Sequence, residues 1–249
     1  MIPKKIHFIW LGPNKRNNLI EKCIASWYTF HPDWEIIEWT DSDFNYDDCE
    51  FVKVAFENKN WAYLSDYYRL KLLYLHGGIY LDTDMLLIKP LEPLLSNEIF
   101  WGYEEEHIVS CGIIGTEKGN SFIKSILDYY NSLTAETWQI HTIPQIVTQL
   151  YDTGSFKNVT IYPRDFFYPY PAESRLKELT INYKRHITPN TIGIHMWEFS
   201  WSYFSRYQLF LKNRQLLNAV LCFVKEAFTS RKTFRWKELK KTFRIILRR

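Results

Sequence analysis

Two aspartates one residue apart, Asp82 and Asp84, follow a short apolar run in the segment GGIYLDTDMLL (77–87). In a β-strand, residues two apart point to the same side, so both carboxylates can face one spot at the strand's end. Hard carboxylate oxygens suit Mg²⁺ or Mn²⁺, which often complete their coordination shell with substrate phosphates. Because unpaired charges are costly to bury beside an apolar strand, the flanks favour a metal site over the alternative, a solvated turn.

The helical segment before the double glycine carries a second charged pair. Asp66 and Arg69, in SDYYR (65–69), are three residues apart and share a helix face. One interpretation is a surface ion pair, which contributes well under ~1 kcal/mol. The other is that the Arg69 fork binds a diphosphate while Asp66 binds a sugar hydroxyl. The second is favoured because this helix leads directly into the aspartate segment.

The elements that must position these residues follow from hydrophobic periodicity. The run 5–11 predicts a strand buried on both faces, the apolar spacing from Leu19 to Trp27 predicts a helix, and 34–39 predicts a second strand. Strand, helix and strand at this spacing form a βαβ unit, which indicates a nucleotide-binding type of α/β sheet. Further helices are predicted at 47–59, 62–76, 119–133 and 142–151, and further strands at 79–88, 100–103, 108–116, 159–163 and 191–197.

Composition limits the class of protein. The chain has 249 residues, of which 46% are apolar and 24% charged, so a folded enzyme-sized domain is expected and wholesale disorder is excluded. The four cysteines form no CxxC pair, which argues against a zinc site or dense disulfides and indicates reduced thiols. No apolar run reaches the length of a membrane span, and no signal-peptide pattern is present. A cytoplasmic protein is therefore expected.

Positive charge is concentrated at the C-terminus. The formal net charge is +3, yet residues 206–249 contain thirteen Lys and Arg against two Glu. Trp236, Leu239, Phe243 and Ile246 recur at helical spacing among these basic residues. The pattern predicts an amphipathic basic helix that lies on an anionic membrane. The alternative is a helix packed on the domain with solvated lysines, and no nucleic-acid-binding motif accompanies the charge.

Three segments, IPKKIHFIW (2–10), SDYYR (65–69) and LYLHGGIYLDTD (73–84), together resemble the DxD-motif sugar transferases of the glycosyltransferase family 32 type. That family includes bacterial capsular polysaccharide transferases, fungal outer-chain initiating mannosyltransferases and clostridial glucosylating toxins. The resemblance runs from Ile2 to about Trp201. It implies an α/β fold of the GT-A type, with a mostly parallel central sheet flanked by helices, a bound Mn²⁺ or Mg²⁺, and retention of anomeric configuration. The expected organisation is a GT-A domain over 1–203 and a helical, basic amphipathic segment over 204–249.

By position, the resemblance implies roles for single residues. Trp10 is expected to stack on the base of the donor, and Tyr80 to line the donor site. Asp82 is expected to contact the ribose or the metal shell, and Asp84 to ligate the metal. The expected catalytic residues are Asp66, Arg69, Asp82 and Asp84, and the expected donor-binding residues are Trp10, Asp66, Arg69, Tyr80, Asp82, Ser200 and Trp201.

Two later segments also match the family. HMWEFSW (195–201) is similar to its His…Ser-Trp element, which closes over the diphosphate. The implied metal ligands are therefore Asp82, Asp84 and His195, with Glu198 as a rival to His195. CGIIGTEKGN (111–120) resembles the acceptor-side strand and turn.

The resemblance predicts a retaining hexosyltransferase that uses a nucleotide-sugar donor, with a UDP-sugar favoured over GDP-mannose. The expected acceptor is a glycan or lipid-linked saccharide of bacterial surface or capsular polysaccharide synthesis. The expected location is the inner face of the plasma membrane, contacted through the C-terminal tail. No dedicated catalytic base is expected, because a leaving phosphate oxygen can take the acceptor's proton.

Two alternatives stay open at this point. An aspartate-nucleophile phosphohydrolase also carries DxD after a strand, but normally after its first strand, whereas this motif lies about eighty residues into the chain. A non-catalytic sugar-binding protein could keep the same fold. The intact Asp66, Arg69, Asp82 and Asp84 argue against that second alternative.

Overall fold

A computed structural model describes residues 1–139, 141–177, 182–198, 206–212 and 215–229 of the chain. Its strands are β1 (Lys5–Ile9), β2 (Glu35–Trp39), β3 (Gly78–Leu81), β4 (Met85–Leu87), β5 (Ile99–Glu105), β6 (Ile108–Thr116), β7 (Val159–Tyr162) and β8 (Gly193–His195). Its α-helices are α1 (Asn18–Phe30), α2 (Glu50–Glu57), α3 (Trp61–His76), α4 (Ser121–Ser132), α5 (Ile143–Asp152), α6 (Arg164–Phe167), α7 (Ala172–Lys177), α8 (Arg206–Lys212) and α9 (Leu216–Thr229). Short 3₁₀ turns span Asp41–Asp43, Glu92–Leu94 and Tyr183–His186.

A six-stranded sheet in the order β2-β1-β3-β6-β5-β7 forms the centre of the fold. β1 runs parallel to both β2 and β3, and β7 runs parallel to β5. β6 is antiparallel to its two neighbours, β3 and β5. Five of these strands therefore run in one direction and β6 in the other, which confirms the expected mostly parallel sheet.

The two faces of the sheet are covered by different helices. Ile79 and Leu81 of β3 pack in the apolar cluster that contains α1, whereas Tyr80 packs in the cluster that contains α2 to α5. Adjacent strand residues face opposite sides, so this division follows from the period of a strand. It also places the Tyr80 ring on the same side of the sheet as α3, which carries the second charged pair.

The aspartate segment is not the single strand predicted over 79–88. β3 ends at Leu81, the residues Asp82–Asp84 form a turn, and β4 begins at Met85. The physical reason is that β3 pairs within the six-stranded sheet, whereas β4 pairs antiparallel with β8 in a separate two-stranded sheet. The two carboxylates therefore converge through a turn between two sheets and not through strand alternation.

Two glycines connect α3 to β3. Gly77 and Gly78 have φ values of 63° and 102°, a region that side-chain-bearing residues rarely adopt. A Cβ on Gly77 would also lie 2.7 Å from the backbone nitrogen of Lys118. Gly77 thus caps the C-terminus of α3, and the sharp turn brings β3 back along the helix that carries Arg69.

The chain divides into two compact units, the first formed by residues 1–169 and 186–198. This unit contains the six-stranded sheet, the β4–β8 pair and helices α1 to α6. Every expected site residue that the structure describes belongs to it.

The second unit comprises 170–185 and the residues after 198. Within it, Tyr207, Phe210 and Leu211 of α8 form an apolar cluster with Ala219 and Cys222 of α9. The expected boundary at 203/204 and the tail from 230 to 249 lie outside the described residues. Among the helices described, none combines the length and hydropathy needed to cross a membrane.

Candidate metal and donor site

The candidate site lies at the carboxyl ends of β1 and β3. These strands are parallel neighbours, so the residues that follow them meet at one edge of the sheet. Trp10 follows β1 directly, and Asp82 follows β3 directly. This edge is the position at which open α/β sheets bind their ligands.

Three ligand-type side chains converge there. The ligand atoms of Asp82, Asp84 and His195 lie within 4.8 Å of one another. His195 Nε2 is 3.2 Å from Asp84 Oδ1 and 3.6 Å from Asp82 Oδ2. The three expected metal ligands are therefore brought together, with one atom of each facing a common point.

Asp84 is held by the segment that follows β8. Its backbone oxygen accepts from the Met196 N–H at 3.0 Å, and its Oδ2 accepts from the Glu198 N–H at 2.8 Å. Trp197 lies between these donors with φ of 51°, a conformation that costs a bulky residue about 1–3 kcal/mol. The strained turn directs the Glu198 N–H to Oδ2 and leaves Oδ1 for His195 or a metal.

Arg69 is buried and forms the second half of the site. Its guanidinium lies 2.9 Å from Asp66 Oδ1 and 3.3 Å from Asp82 Oδ1, and it donates to the Cys111 carbonyl at 2.7 Å. It also donates to the Ser65 carbonyl and hydroxyl at 3.2 and 3.1 Å. These partners offset the cost of burying a cation. They also fix both aspartates relative to α3.

Tyr80 connects the two halves. Its ring lies 4.7 Å from the guanidinium carbon of Arg69, and its hydroxyl donates to Asp82 Oδ1 at 3.0 Å. Oδ1 of Asp82 is thus used by Tyr80 and Arg69, while Oδ2 faces His195. The carboxylate is oriented so that one oxygen is structural and the other is free to ligate.

Burial and charge set unusual protonation states. Burial lowers the pKa of His195, but the carboxylates of Asp84 and Asp82 outweigh it and raise the pKa to about 10. Burial raises the pKa of Asp84, yet the adjacent His195 holds it below the ordinary value. Burial raises the pKa of Asp66 to about 7, against the opposing effect of Arg69. Without a metal, a proton on His195 therefore balances part of the carboxylate charge at neutral pH.

Gly112 of β6 lies beside the metal-ligand atoms of Asp82 and His195. A Cβ on Gly112 would lie 3.0 Å from His195 Cδ2, 3.1 Å from the Tyr168 hydroxyl and 3.2 Å from Asp82 Oδ2. The Gly112 carbonyl also accepts from the Asp82 N–H at 2.8 Å. The His195 ring packs against Trp197, with ring centroids 4.1 Å apart. The space beside the ligand atoms therefore depends on the absence of a side chain at position 112.

These residues fit a divalent cation. Two carboxylates and an imidazole match the donors that Mn²⁺ and Mg²⁺ sites use, with oxygens predominating. Once the proton on His195 is displaced, the carboxylates of Asp82 and Asp84, together with Asp66 in its ionised form, outnumber the one guanidinium, Arg69, which favours a cation. The room left by Gly112 lies directly beside the ligand atoms.

The other expected residues are placed as follows. Trp10 is half-buried, and its indole N–H donates to the Asn14 carbonyl at 2.8 Å. The carboxylate of Glu198 accepts from the Asn17 side chain at 2.7 Å. Ser200 and Trp201 lie outside the described residues, so their donor contacts stay predictions.

Sequence reasoning missed Asn17, Gly112 and Tyr168. The sequence identifies Asn17 only as a helix cap, because Asn is a preferred residue directly before the first turn of a helix. Gly112 and Tyr168 carry no local signal in the sequence. Gly112 matters because it faces His195, Asp82 and the Tyr168 hydroxyl, and the fold alone brings these residues together.

Comparisons with known proteins match this chain to glycosyltransferases that carry a DXD motif or are named as sugar transferases. A family model described as "Glycosyltransferase sugar-binding region containing DXD motif" matches residues 17–101. Inositol phosphoceramide mannosyltransferase 3 of Schizosaccharomyces pombe is 29% identical over 164 residues, covering 61% of this chain and 42% of that protein. Lactosylceramide 4-alpha-galactosyltransferase of Pan troglodytes is 27% identical over 156 residues, covering 54% of this chain and 41% of that protein. The chain thus spans about two fifths of the length of these relatives.

A solved structure titled "PaToxG Glycosyltransferase" has a similar fold. Its TM-score is 0.50 at 17% identity, and the match covers 99% of this chain and 86% of that one. At this identity the likeness supports the GT-A type of fold. The family match confirms the resemblance to the DxD sugar transferases: residues 17–101 are similar to the DXD-containing sugar-binding region of these glycosyltransferases.

Proposed function

We propose that this chain is a metal-dependent, retaining glycosyltransferase that moves a hexose from a nucleotide sugar to a glycan or lipid-linked acceptor. The observation that carries the proposal is the convergence of Asp82, Asp84 and His195 beside Arg69 at the ligand-binding edge of the sheet. Two of these ligands and the arginine lie inside the region that matches the glycosyltransferase family model.

Asp82 Oδ2, Asp84 Oδ1 and His195 Nε2 would hold the metal. When bound, Mn²⁺ or Mg²⁺ supplies positive charge against the donor diphosphate as the glycosidic bond breaks. Arg69 adds a fixed positive charge next to Asp82, in a site that needs no rearrangement as charge develops. Because most of its donors already contact protein groups, Arg69 acts chiefly by positioning Asp66 and Asp82 and by its field.

Asp66 supplies a carboxylate for the hydroxyls of the donor sugar. Arg69 fixes Oδ1 of Asp66, which leaves the other oxygen for a ligand. Trp10, at the end of β1, is proposed to stack on the base. No further base is required, because a leaving phosphate oxygen can accept the proton of an acceptor that attacks from the same face.

The acceptor is proposed to be lipid-linked. Both relatives compared above are named for ceramide-linked acceptors, and their names cover mannosyl and galactosyl transfer. A UDP-sugar is the favoured donor, with GDP-mannose as the alternative. A role in bacterial surface or capsular polysaccharide synthesis follows from the motif resemblance alone. Identification of the acceptor that receives the sugar tests this role.

Contact with an anionic membrane is part of the proposal, at the inner face of the plasma membrane. The basic residues from 230 to 249 are the proposed electrostatic attachment. The neighbouring α9 adds an observation in support: its side chains Leu216, Leu217, Val220, Leu221 and Val224 are all exposed, although they are aliphatic. The other side of α9, with Ala219 and Cys222, packs on α8, so the side chains described over 216–224 are apolar on both sides, which is typical of an element with a partner.

The decisive experiment measures release of UDP or GDP from UDP-galactose, UDP-N-acetylgalactosamine, UDP-glucose and GDP-mannose, with Mn²⁺, Mg²⁺ or EDTA. We expect release from one donor, dependent on the metal. Asp84→Asn keeps the shape of the side chain but weakens the ligand, and should lower turnover by about 10²–10³-fold, the usual effect of removing one electrostatic contact. Asp33→Asn, at an exposed aspartate, is the matched control.

Each rival function gives a different result. A phosphohydrolase would release inorganic phosphate from p-nitrophenyl phosphate and would not need a nucleotide sugar. A sugar-binding protein without activity would bind a nucleotide sugar in calorimetry and release nothing. Turnover of Asp84→Asn equal to wild type in saturating Mn²⁺ would refute the metal assignment.

A further inference from the structure

We infer that Asn17 is a positioning residue that clamps the segment after β8 onto Asp84, through a hydrogen bond to the Glu198 carboxylate. The inference rests on the proposed metal site, to which neither Asn17 nor Glu198 contributes a ligand atom. Asn17 lies 181 positions from Glu198, and its Nδ2 donates to Glu198 Oε1 at 2.7 Å.

Asn17 uses both ends of its side-chain amide. Its Oδ1 accepts from the backbone N–H groups of Leu19 and Ile20, at 2.9 and 3.1 Å, which caps α1. Its Nδ2 is directed away from the helix to Glu198. The cap fixes the rotamer, so the donor group is presented in one place.

The helix that Asn17 starts is fixed to the site. The indole N–H of Trp27 donates to the Met85 carbonyl at 2.7 Å, and the Leu87 N–H donates to Ser26 Oγ at 3.0 Å. Both bonds join α1 to β4, the strand that begins directly after Asp84. Asn17 therefore lies at the start of a helix that is held in place next to the metal ligands.

Glu198 needs such a tether because it follows a strained turn. Trp197 is in the left-handed region, with φ of 51°, and directly after it the Glu198 N–H donates to Asp84 Oδ2 at 2.8 Å. A backbone in that conformation relaxes unless its neighbours hold it. Asn17 holds the side chain of Glu198 while Asp84 holds its backbone, which fixes the orientation of the Asp84 carboxylate.

The chemistry of Asn explains the residue type at position 17. Asp and Ser cap a helix as well as Asn does, since both present an accepting oxygen. Neither presents an N–H group to Glu198. Substitution of Asn17 by Asp or Ser therefore separates the cap from the clamp, with α1 capped in both variants.

The experiment compares wild type, N17S, N17D, E198Q and the double variant N17D/E198Q. Mn²⁺ affinity is measured by electron paramagnetic resonance of free Mn²⁺, and protection of the Glu198 amide by hydrogen exchange. We expect N17S and N17D to weaken Mn²⁺ binding by roughly 10- to 100-fold, the usual cost of losing a partner that orients a ligand. Their melting temperatures should stay close to wild type, because the cap is kept.

The double variant supplies the rescue. In N17D/E198Q the donor and acceptor are exchanged, so the hydrogen bond can re-form, and Mn²⁺ affinity should recover relative to N17D. E198Q alone keeps an accepting oxygen and should be less impaired than N17D. A direct metal ligand would give the opposite order, with E198Q the most impaired variant.

The inference is overturned if N17D and N17S bind Mn²⁺ as wild type does, or if N17D/E198Q is no better than N17D. If wild type itself binds no Mn²⁺, the proposed function fails, and hydrogen exchange still decides on the clamp. Faster exchange of the Glu198 amide in N17D, restored in the double variant, supports the clamp. Equal exchange in all variants refutes it.

Discussion

His195 Nε2 lies 3.2 Å from Asp84 Oδ1, and the pairing of β4 with β8 places it there. In that pairing Met85 is opposite His195, so the residue just before β4 faces the end of β8. The contact joins the two parts of the chain that carry the ligand-type residues. It is also the contact that a metal ion would replace.

The first prediction concerns the pH dependence of metal binding. The pKa of His195 is raised to about 10 by Asp84 and Asp82, so the ring carries a proton at neutral pH and must lose it to ligate. We expect Mn²⁺ affinity to rise with pH, with close to one proton released for each ion bound between pH 7 and 9. Calorimetry in buffers of different ionisation enthalpy measures that release. Affinity that does not change with pH would contradict the assignment of His195 as a ligand.

The same shift predicts the stability of the metal-free protein. A histidine whose folded pKa lies above its unfolded value of about 6.5 stabilises the fold fully below that value, and this contribution is lost as pH rises through the folded pKa. The metal-free melting temperature should therefore fall between about pH 6.5 and 10. His195→Asn should flatten this slope, measured by thermal melts across the range in EDTA.

Gly112→Ala should weaken metal binding more than it weakens the fold. The added Cβ would lie 3.2 Å from Asp82 Oδ2 and 3.0 Å from the His195 ring, so the ligands must shift by a few tenths of an ångström. We expect reduced Mn²⁺ affinity with a small change in melting temperature. Gly193→Ala is the control, because its Cβ would meet the flexible Met85 side chain at 3.2 Å. Equal Mn²⁺ affinity in Gly112→Ala and wild type would show that metal binding does not depend on the space beside position 112.

The sequence predicted most elements of this site but not their geometry. The apolar runs of β1 and β3 and the helix α3 were recoverable because buried strands and helices leave periodic patterns. The division of 79–88 was not, since β3 and β4 are equally apolar and differ only in their partners. A pairing with β8, more than a hundred residues away, decides where the strand breaks.

The contacts between distant residues are the part that pattern reasoning could not supply. Asn17 and Glu198 are each ordinary in their local segments, a helix cap and an acidic loop residue. Their hydrogen bond exists only because α1 and the segment after β8 approach the same carboxylate. His195, by contrast, was identified through the resemblance of HMWEFSW to a family motif.

Trp10→Ala should weaken donor binding more than it slows the chemical step. Stacking of a base on an aromatic ring contributes roughly 1–3 kcal/mol by analogy with nucleic-acid binders. Trp10 is half-buried, and its N–H is bonded to the Asn14 carbonyl, so the substitution also loosens the loop. Trp10→Phe keeps a stacking face without that bond and is the control. Calorimetric titration with UDP and with GDP distinguishes the effects: a Trp10→Ala protein that melts far lower yet binds as wild type does would identify Trp10 as a core residue only.

The last prediction concerns membrane contact. Removal of residues 230–249 should leave donor hydrolysis nearly unchanged, because the proposed metal ligands end at His195 and the expected donor-binding residues end at Trp201. It should release the protein from anionic liposomes, since each basic residue near such a surface contributes about 1 kcal/mol. High salt should weaken the binding of the full chain for the same reason.

The exposed face of α9 allows a second, independent test of membrane contact. Leu217 is 72% exposed and Val220 57% exposed, so replacing both with Gln removes apolar surface without opening a core cavity. If α9 contacts lipid, this double variant should co-sediment less with anionic liposomes at high salt, where the electrostatic part is screened and apolar burial dominates. Ile108→Gln, at an exposed residue of β6, is the matched control. Equal sedimentation of the full chain, the truncated chain and the α9 variant would contradict membrane contact, and unfolding on truncation would show that the tail packs on the protein.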